Sequence, residues 1–127
     1  MKNKIKAVCF GEVLFDVFPT HSKIGGAPLN VCVRLESLGS DAAMLSSVGE
    51  DQNGIKIINY LRNSGVDTDG IQIQTEYATG VVNVVLNDKG VASYDIAYPV
   101  AWDKIALEGS MRNVLEASDV LVYGSLV

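Results

Sequence analysis

Apolar residues along this chain fall into short runs and helical stripes, separated by glycine and by turn-forming residues. Ile5–Phe10 is a mostly apolar run closed by Gly11, the pattern of a strand buried in a parallel sheet. Val13–Phe18 continues as extended chain around Asp16 until Pro19 interrupts it. Pro28–Leu38 changes period: Leu29, Cys32, Val33 and Leu35 form one stripe, with Arg34, Glu36 and Ser37 opposite, which predicts a helix. Gly39 follows as its left-handed cap. Ala42–Val48 is the next strand, closed by Gly49. Asp51 is a suitable N-cap for a second helix with a core face of Ile55, Ile57, Ile58 and Leu61, ended by Gly65.

The second half is richer in strands. Ile71–Gln74 is short. Val81–Leu86 and Val91–Ile96 flank Asn87-Asp88-Lys89-Gly90, a strong hairpin signal. Val82, Val84 and Leu86 alternate with Val81, Asn83, Val85 and Asn87, so both hairpin faces read as apolar. One face is then expected to cover a ligand or meet a second subunit. Met111–Ala117 reads as helix and Asp119–Tyr123 as another buried strand. This alternation predicts an α/β fold: a doubly wound, mainly parallel sheet with an added β hairpin. A parallel strand is ordinarily followed by a crossover helix. The ending Gly124-Ser125-Leu126-Val127 therefore reads as truncation after a core strand.

Composition narrows the function classes. With 127 residues the chain makes at most one domain, with 48% hydrophobic and 20% charged residues, as in soluble globular proteins. A formal net charge of −5 argues against nucleic acid or an anionic membrane as partner. No apolar run is long enough to span a bilayer, and Glu12 and Asp16 break the stretch that would make a signal peptide. Cys9 and Cys32 lie in apolar contexts without metal-ligand spacing and read as two buried free thiols of a cytoplasmic protein. His21 is the one histidine, which excludes a pair of catalytic histidines within the chain.

Candidate chemistry concentrates near the N-terminus. Gly25-Gly26-Ala27-Pro28-Leu29-Asn30 joins a glycine hinge, a proline suited to a first helical turn and an asparagine one turn in. The amide of Asn30 both donates and accepts, which suits a polar, hydroxyl-rich small molecule. Asp16 is a carboxylate among apolar residues beyond a strand's C-terminal end, where open α/β sheets bind ligands. It is either an acceptor for two vicinal hydroxyls or a solvated turn residue. Glu12 is open between a ligand contact, a partner for a lysine and a supporting residue. Asp51 and Gly54 are explained by helix capping and close packing. Tyr98 and Trp102 suit either ring stacking or the core.

The Gly25–Asn30 segment, with Gly39 and Gly49 at matching spacing, resembles the first signature of the ribokinase-like (PfkB-type) carbohydrate kinases. Its Gly-Gly-Ala-Pro form is most similar to fructokinases. Cys32 stands where the pattern has Ser, Thr or Ala, a small residue that packs alike. The resemblance implies that residues 1–127 are the N-terminal, sugar-binding portion of a single ribokinase-like domain, with the hairpin among its lid strands. It implies that Asp16, Gly25, Gly26 and Asn30 hold the sugar. It also implies ATP and Mg as cofactors of an intact cytoplasmic enzyme, which would phosphorylate a primary sugar hydroxyl, with fructose leading, and pair as a homodimer through its lids. The family's Gly-Ala-Gly-Asp motif, with its catalytic base and anion hole, has no counterpart in these residues, nor does a GxxxxGK[ST] loop. A fragment without catalytic residues is expected to be inactive. The alternative is a non-catalytic sugar-binding or regulatory module on half of a kinase fold.

Overall fold

The structure, a computed structural model, describes residues 3–127. Strand β1 (Lys6–Phe10) lies between β4 (Asp41–Gly49) and β8 (Val120–Tyr123), and β5 (Ile71–Gln74) extends the far side of β4. All pairings in this sheet are parallel, with Cys9 opposite Met44 and Val122. A second sheet has the order β3 (Ser22–Gly25), β2 (Leu14–Val17), β6 (Gly80–Leu86), β7 (Ala92–Ile96). Here β2 runs parallel to β6 and antiparallel to β3. The expected extension Val13–Phe18 thus leaves the first sheet and opens the second. Strand β3 was not expected, because Ser22-Lys23-Ile24-Gly25 has little apolar signal of its own; its ladder with β2 makes it a strand.

Helices cover both faces of the first sheet. Helices α1 (Ala27–Ser37) and α2 (Gln52–Asn63) place Leu29, Cys32, Ile57 and Leu61 against Cys9, Ala42, Met44 and Val48. On the opposite face, α3 (Gly109–Glu116) sets Met111 against Val8, Ala43 and Leu45. Each large side chain fully buried this way contributes roughly 1.5–3 kcal/mol. Helices on both faces make the sheet doubly wound. Cys9 and Cys32 are buried and unpaired by disulfide; contact with Cys9 and burial both push the Cys32 thiol up, so it stays protonated.

Two expectations about burial are corrected. Ile55 is 53% exposed and not part of the core face of α2. It lies two residues from Ile57, about 200° around a helix, whereas Leu61 returns to the same side. Strand β8 was expected to be buried; it forms an edge of the sheet, with Leu121 49% exposed and Tyr123 76% exposed. Among the described residues, no helix is long and apolar enough to cross a membrane.

The hairpin forms as its turn residues dictate. The Asn87 side chain accepts from Lys89 N and Val91 N, both at 2.9 Å. Burial changes along the hairpin as well as between its faces: Val82 and Val84 are buried, whereas Leu86 and Tyr94 on the same face, and Val85 on the other, are exposed.

Candidate sugar-binding site

Asp16 lies in the middle strands of the second sheet, opposite Lys23 on β3 and Val82 on β6. Strand alternation puts Leu14 and Asp16 on one face and Phe15 and Val17 on the other. The second pair faces the helices, with Phe15 in the core and Val17 packed against it. Asp16 therefore points away from that core. It is half-buried, and among the described residues no protein group donates a hydrogen bond to its carboxylate or forms an ion pair with it. Lys23, directly opposite, is not within ion-pair distance. A partly buried carboxylate with unused acceptors is suited to ligand hydroxyls.

Gly25 shares this face. A Cβ built on Gly25 would stand 2.5 Å from Asp16 Oδ2, so the absence of a side chain there gives the carboxylate its room. The next residue, Gly26, is the N-cap of α1 and has φ of 112° and ψ of 124°, a conformation open essentially to glycine. Pro28, in the first turn, gives up no hydrogen bond because the first helical N–H groups lack partners anyway. Asn30 N donates to Gly26 O at 3.0 Å, and its side chain is exposed at the start of α1. The structure thus joins Asp16 directly to Gly25, while Gly26 and Asn30 follow on the helix start beside them.

Trp102, on the short 3-10 helix Ala101–Lys104, borders the same face. A Cβ on Gly80 would stand 2.6 Å from Trp102 Cδ1, and Gly80 pairs with Leu14. The indole is only 8% exposed, so its faces are packed and not open for ring stacking. Tyr98, by contrast, is 80% exposed.

Asp51 and Gly54, read from the sequence as a helix cap and a close contact, are that in the structure. Asp51 Oδ1 accepts from Gly54 N at 2.8 Å, which caps α2. Its carboxylate also accepts from Thr79 N at 2.9 Å and Thr79 Oγ1 at 2.6 Å, and Thr79 Oγ1 accepts from Gly49 N at 2.9 Å. The pairing with Thr79, 28 residues away, ties α2 to the base of β6 and has no local sequence signal. Burial works to raise the Asp51 pKa, but the hydrogen bonds from Thr79 and Gly54 together hold it below its ordinary 3.8. The stability it contributes is therefore full above that value and is lost as pH falls through the lower folded value. Asp51→Ala is expected to flatten the fall of the urea midpoint between about pH 5 and pH 2. An acid profile parallel to that of the wild type would contradict the clamp.

Glu12 is buried, with no lysine paired to it among the described residues; its carboxylate takes hydrogen bonds from Ser125 and Leu126. A cleft of about 590 Å³ lies elsewhere, at the N-terminal ends of β1 and β4, and shares no residue with Asp16, Gly25, Gly26 or Asn30. Among the described residues no group of three or more His, Cys, Asp or Glu side chains is placed to hold a metal ion, and Pro28 removes an N–H from the start of α1. The arrangement offers unused acceptors at Asp16 and an exposed amide at Asn30, donors and acceptors of the kind a hydroxyl-rich molecule uses.

Comparison with known proteins shows the family and the fold. The model of the pfkB family carbohydrate kinases matches residues 3–127. "Probable fructokinase-6, chloroplastic" of Arabidopsis thaliana is 30% identical over 132 residues, covering 94% of this chain and 34% of that protein. An uncharacterized sugar kinase from Pyrococcus horikoshii superposes with a TM-score of 0.83 at 27% identity, covering 95% of this chain and 43% of that one. The same kinase has been solved in complex with ATP. A fructokinase from Xylella fastidiosa gives a TM-score of 0.68 at 28% identity over 76% of this chain and 34% of its own. The chain spans well under half the length of each of these proteins.

Proposed function

The chain belongs to the pfkB family of carbohydrate kinases, and on that premise we propose that residues 1–127 are the sugar-binding portion of a single ribokinase-like domain. The intact protein would transfer the γ-phosphoryl of ATP, with Mg, to a primary hydroxyl of a sugar, fructose leading. The observation that carries this reading is the Asp16 carboxylate, with no protein donor, on the face that Gly25 leaves open. In this reading Asp16 accepts from two sugar hydroxyls, Gly25 and Gly26 let the ring approach the backbone, and the exposed amide of Asn30 completes the hydrogen bonding. The hairpin excludes water, so that transfer to the sugar outcompetes hydrolysis. Positioning of this kind is much of what phosphoryl transfer asks of a protein. ATP and Mg would be held by residues other than these. The fructokinases among the similar proteins support the sugar, and the reduced Cys9 and Cys32 are in keeping with a cytoplasmic setting.

An ADP-release assay on the intact protein with fructose, ribose, 2-keto-3-deoxygluconate and nucleosides tests the activity. Turnover is expected with fructose, and none from residues 1–127 alone, which lack the base and phosphate site. Silence of the intact protein with every sugar favours a non-catalytic sugar-binding or regulatory module instead.

The exposed apolar residues of β6 and β7 support self-association through the hairpin. Val85 and Tyr94 are 56% and 66% exposed, so lysine at either is expected to shift a dimer toward monomer in light scattering without disturbing the core. Substituting Val82 or Val84 would not test this, since both are buried. A wild type already monomeric at high concentration leaves the hairpin as a ligand cover only.

A further inference from the structure

Glu12 is 1% exposed, and no lysine, arginine or histidine pairs with it among the described residues. A carboxylate so placed is costly unless its oxygens are hydrogen-bonded. All of its recorded partners come from one dipeptide. Ser125 N donates to Oε1 at 3.1 Å and to Oε2 at 3.0 Å, Ser125 Oγ donates to Oε1 at 2.9 Å, and Leu126 N donates to Oε2 at 3.3 Å. Successive backbone N–H groups closing on one anion make a nest, and here the anion is the protein's own side chain.

The main chain at this point packs just as closely. A Cβ on Gly26 would collide with Glu12 O. One on Gly11 would collide with Gly124 O and come within 2.8 Å of Pro28 Cγ. The loop leaving β1, the loop leaving β8 and the start of α1 therefore meet at Glu12, four residues before Asp16. These are the C-terminal ends of neighbouring parallel strands, the edge at which such sheets hold ligands.

We propose that Glu12 is a positioning residue for the sugar site: its carboxylate clamps the 124–126 loop to the Gly26–Pro28 helix start, so that the loop and the Gly25–Asn30 segment meet the sugar as one fixed edge. This rests on the sugar-kinase reading above and assigns Glu12 a part in it without contact to substrate. Glutamine at this position keeps one acceptor but turns an NH2 toward N–H donors, which opens the clamp.

The test uses the intact protein with Glu12→Gln and, should that variant fold poorly, Ser125→Ala, which removes one donor and leaves the carboxylate in place. Amide hydrogen exchange at Ser125 and Leu126 reads the clamp, and fructose titration with steady-state kinetics reads the site. Exchange at the two amides is expected to rise about tenfold or more in Glu12→Gln, with KM for fructose raised by about tenfold and KM for ATP little changed; Ser125→Ala should move the same quantities less. Unchanged exchange in both variants overturns the clamp. Faster exchange with the fructose KM and kcat of the wild type overturns the positioning role and leaves Glu12 a fold contact. A wild type silent with every sugar overturns the kinase reading itself, a result separate from either of these, and takes the positioning role with it.

Discussion

Asp16→Asn in the intact protein is expected to raise the Michaelis constant for the sugar about tenfold to a hundredfold while leaving the fold in place. The size follows from the loss of a charged acceptor, with each such hydrogen bond contributing about 1.5–3 kcal/mol. The selectivity follows from the geometry. Asp16 accepts no hydrogen bond from the described residues of the protein, so removing its charge breaks nothing within the chain. The neighbouring Lys23 is not paired with it and gains or loses no ion pair. Calorimetric titration with fructose, beside a urea melt of the same variant, separates the two effects. A variant that binds as tightly as the wild type removes Asp16 from the site. One that melts much earlier makes its role structural.

Gly26→Ala is expected to lower stability strongly, for two separable reasons. A side chain at φ of 112° and ψ of 124° is strained wherever it occurs, at a cost on the order of 1–3 kcal/mol. At Gly26 the new methyl also meets the backbone oxygen of Glu12, which is fixed by the burial of its own side chain. Gly39→Ala provides the comparison, because Gly39 has φ of 101° with nothing within 4 Å of a built Cβ. Urea midpoints for the two variants then separate backbone strain from collision. Gly26→Ala should cost about 1 kcal/mol or more beyond Gly39→Ala. Equal losses would show that the contact with Glu12 yields freely.

Much of the candidate site could be singled out before the fold was known because its parts are neighbours in sequence. Gly25, Gly26, Pro28 and Asn30 fall within six consecutive positions, and each has a backbone or side-chain property that a helix start uses. Asp16 stood out as an isolated carboxylate among apolar residues. The same local reasoning mistook Ile55 for core, since a helix turns its second neighbour almost to the opposite side. It also overlooked β3, whose residues become a strand only through their ladder with β2. The hairpin's alternation revealed apolar residues on both faces, but not that Val82 and Val84 would be buried and Val85 and Tyr94 exposed, which the packing of the rest of the chain decides.

What the sequence determined by itself is what short-range physics controls: the period of each element, the glycine-ended helices, the hairpin turn at Asn87 and the hydrogen-bonding chemistry of the Gly25–Asn30 segment. Tertiary structure alone decided the long-range pairings. It carried β2 out of the parallel sheet into a second one, set Gly25 beside Asp16 Oδ2, tied Asp51 to Thr79 and closed the loop at Ser125 on Glu12. None of these has a signature in local composition, because a buried carboxylate is satisfied by whichever donors the fold brings to it. Those donors came from residues 28 and 113 positions away along the chain.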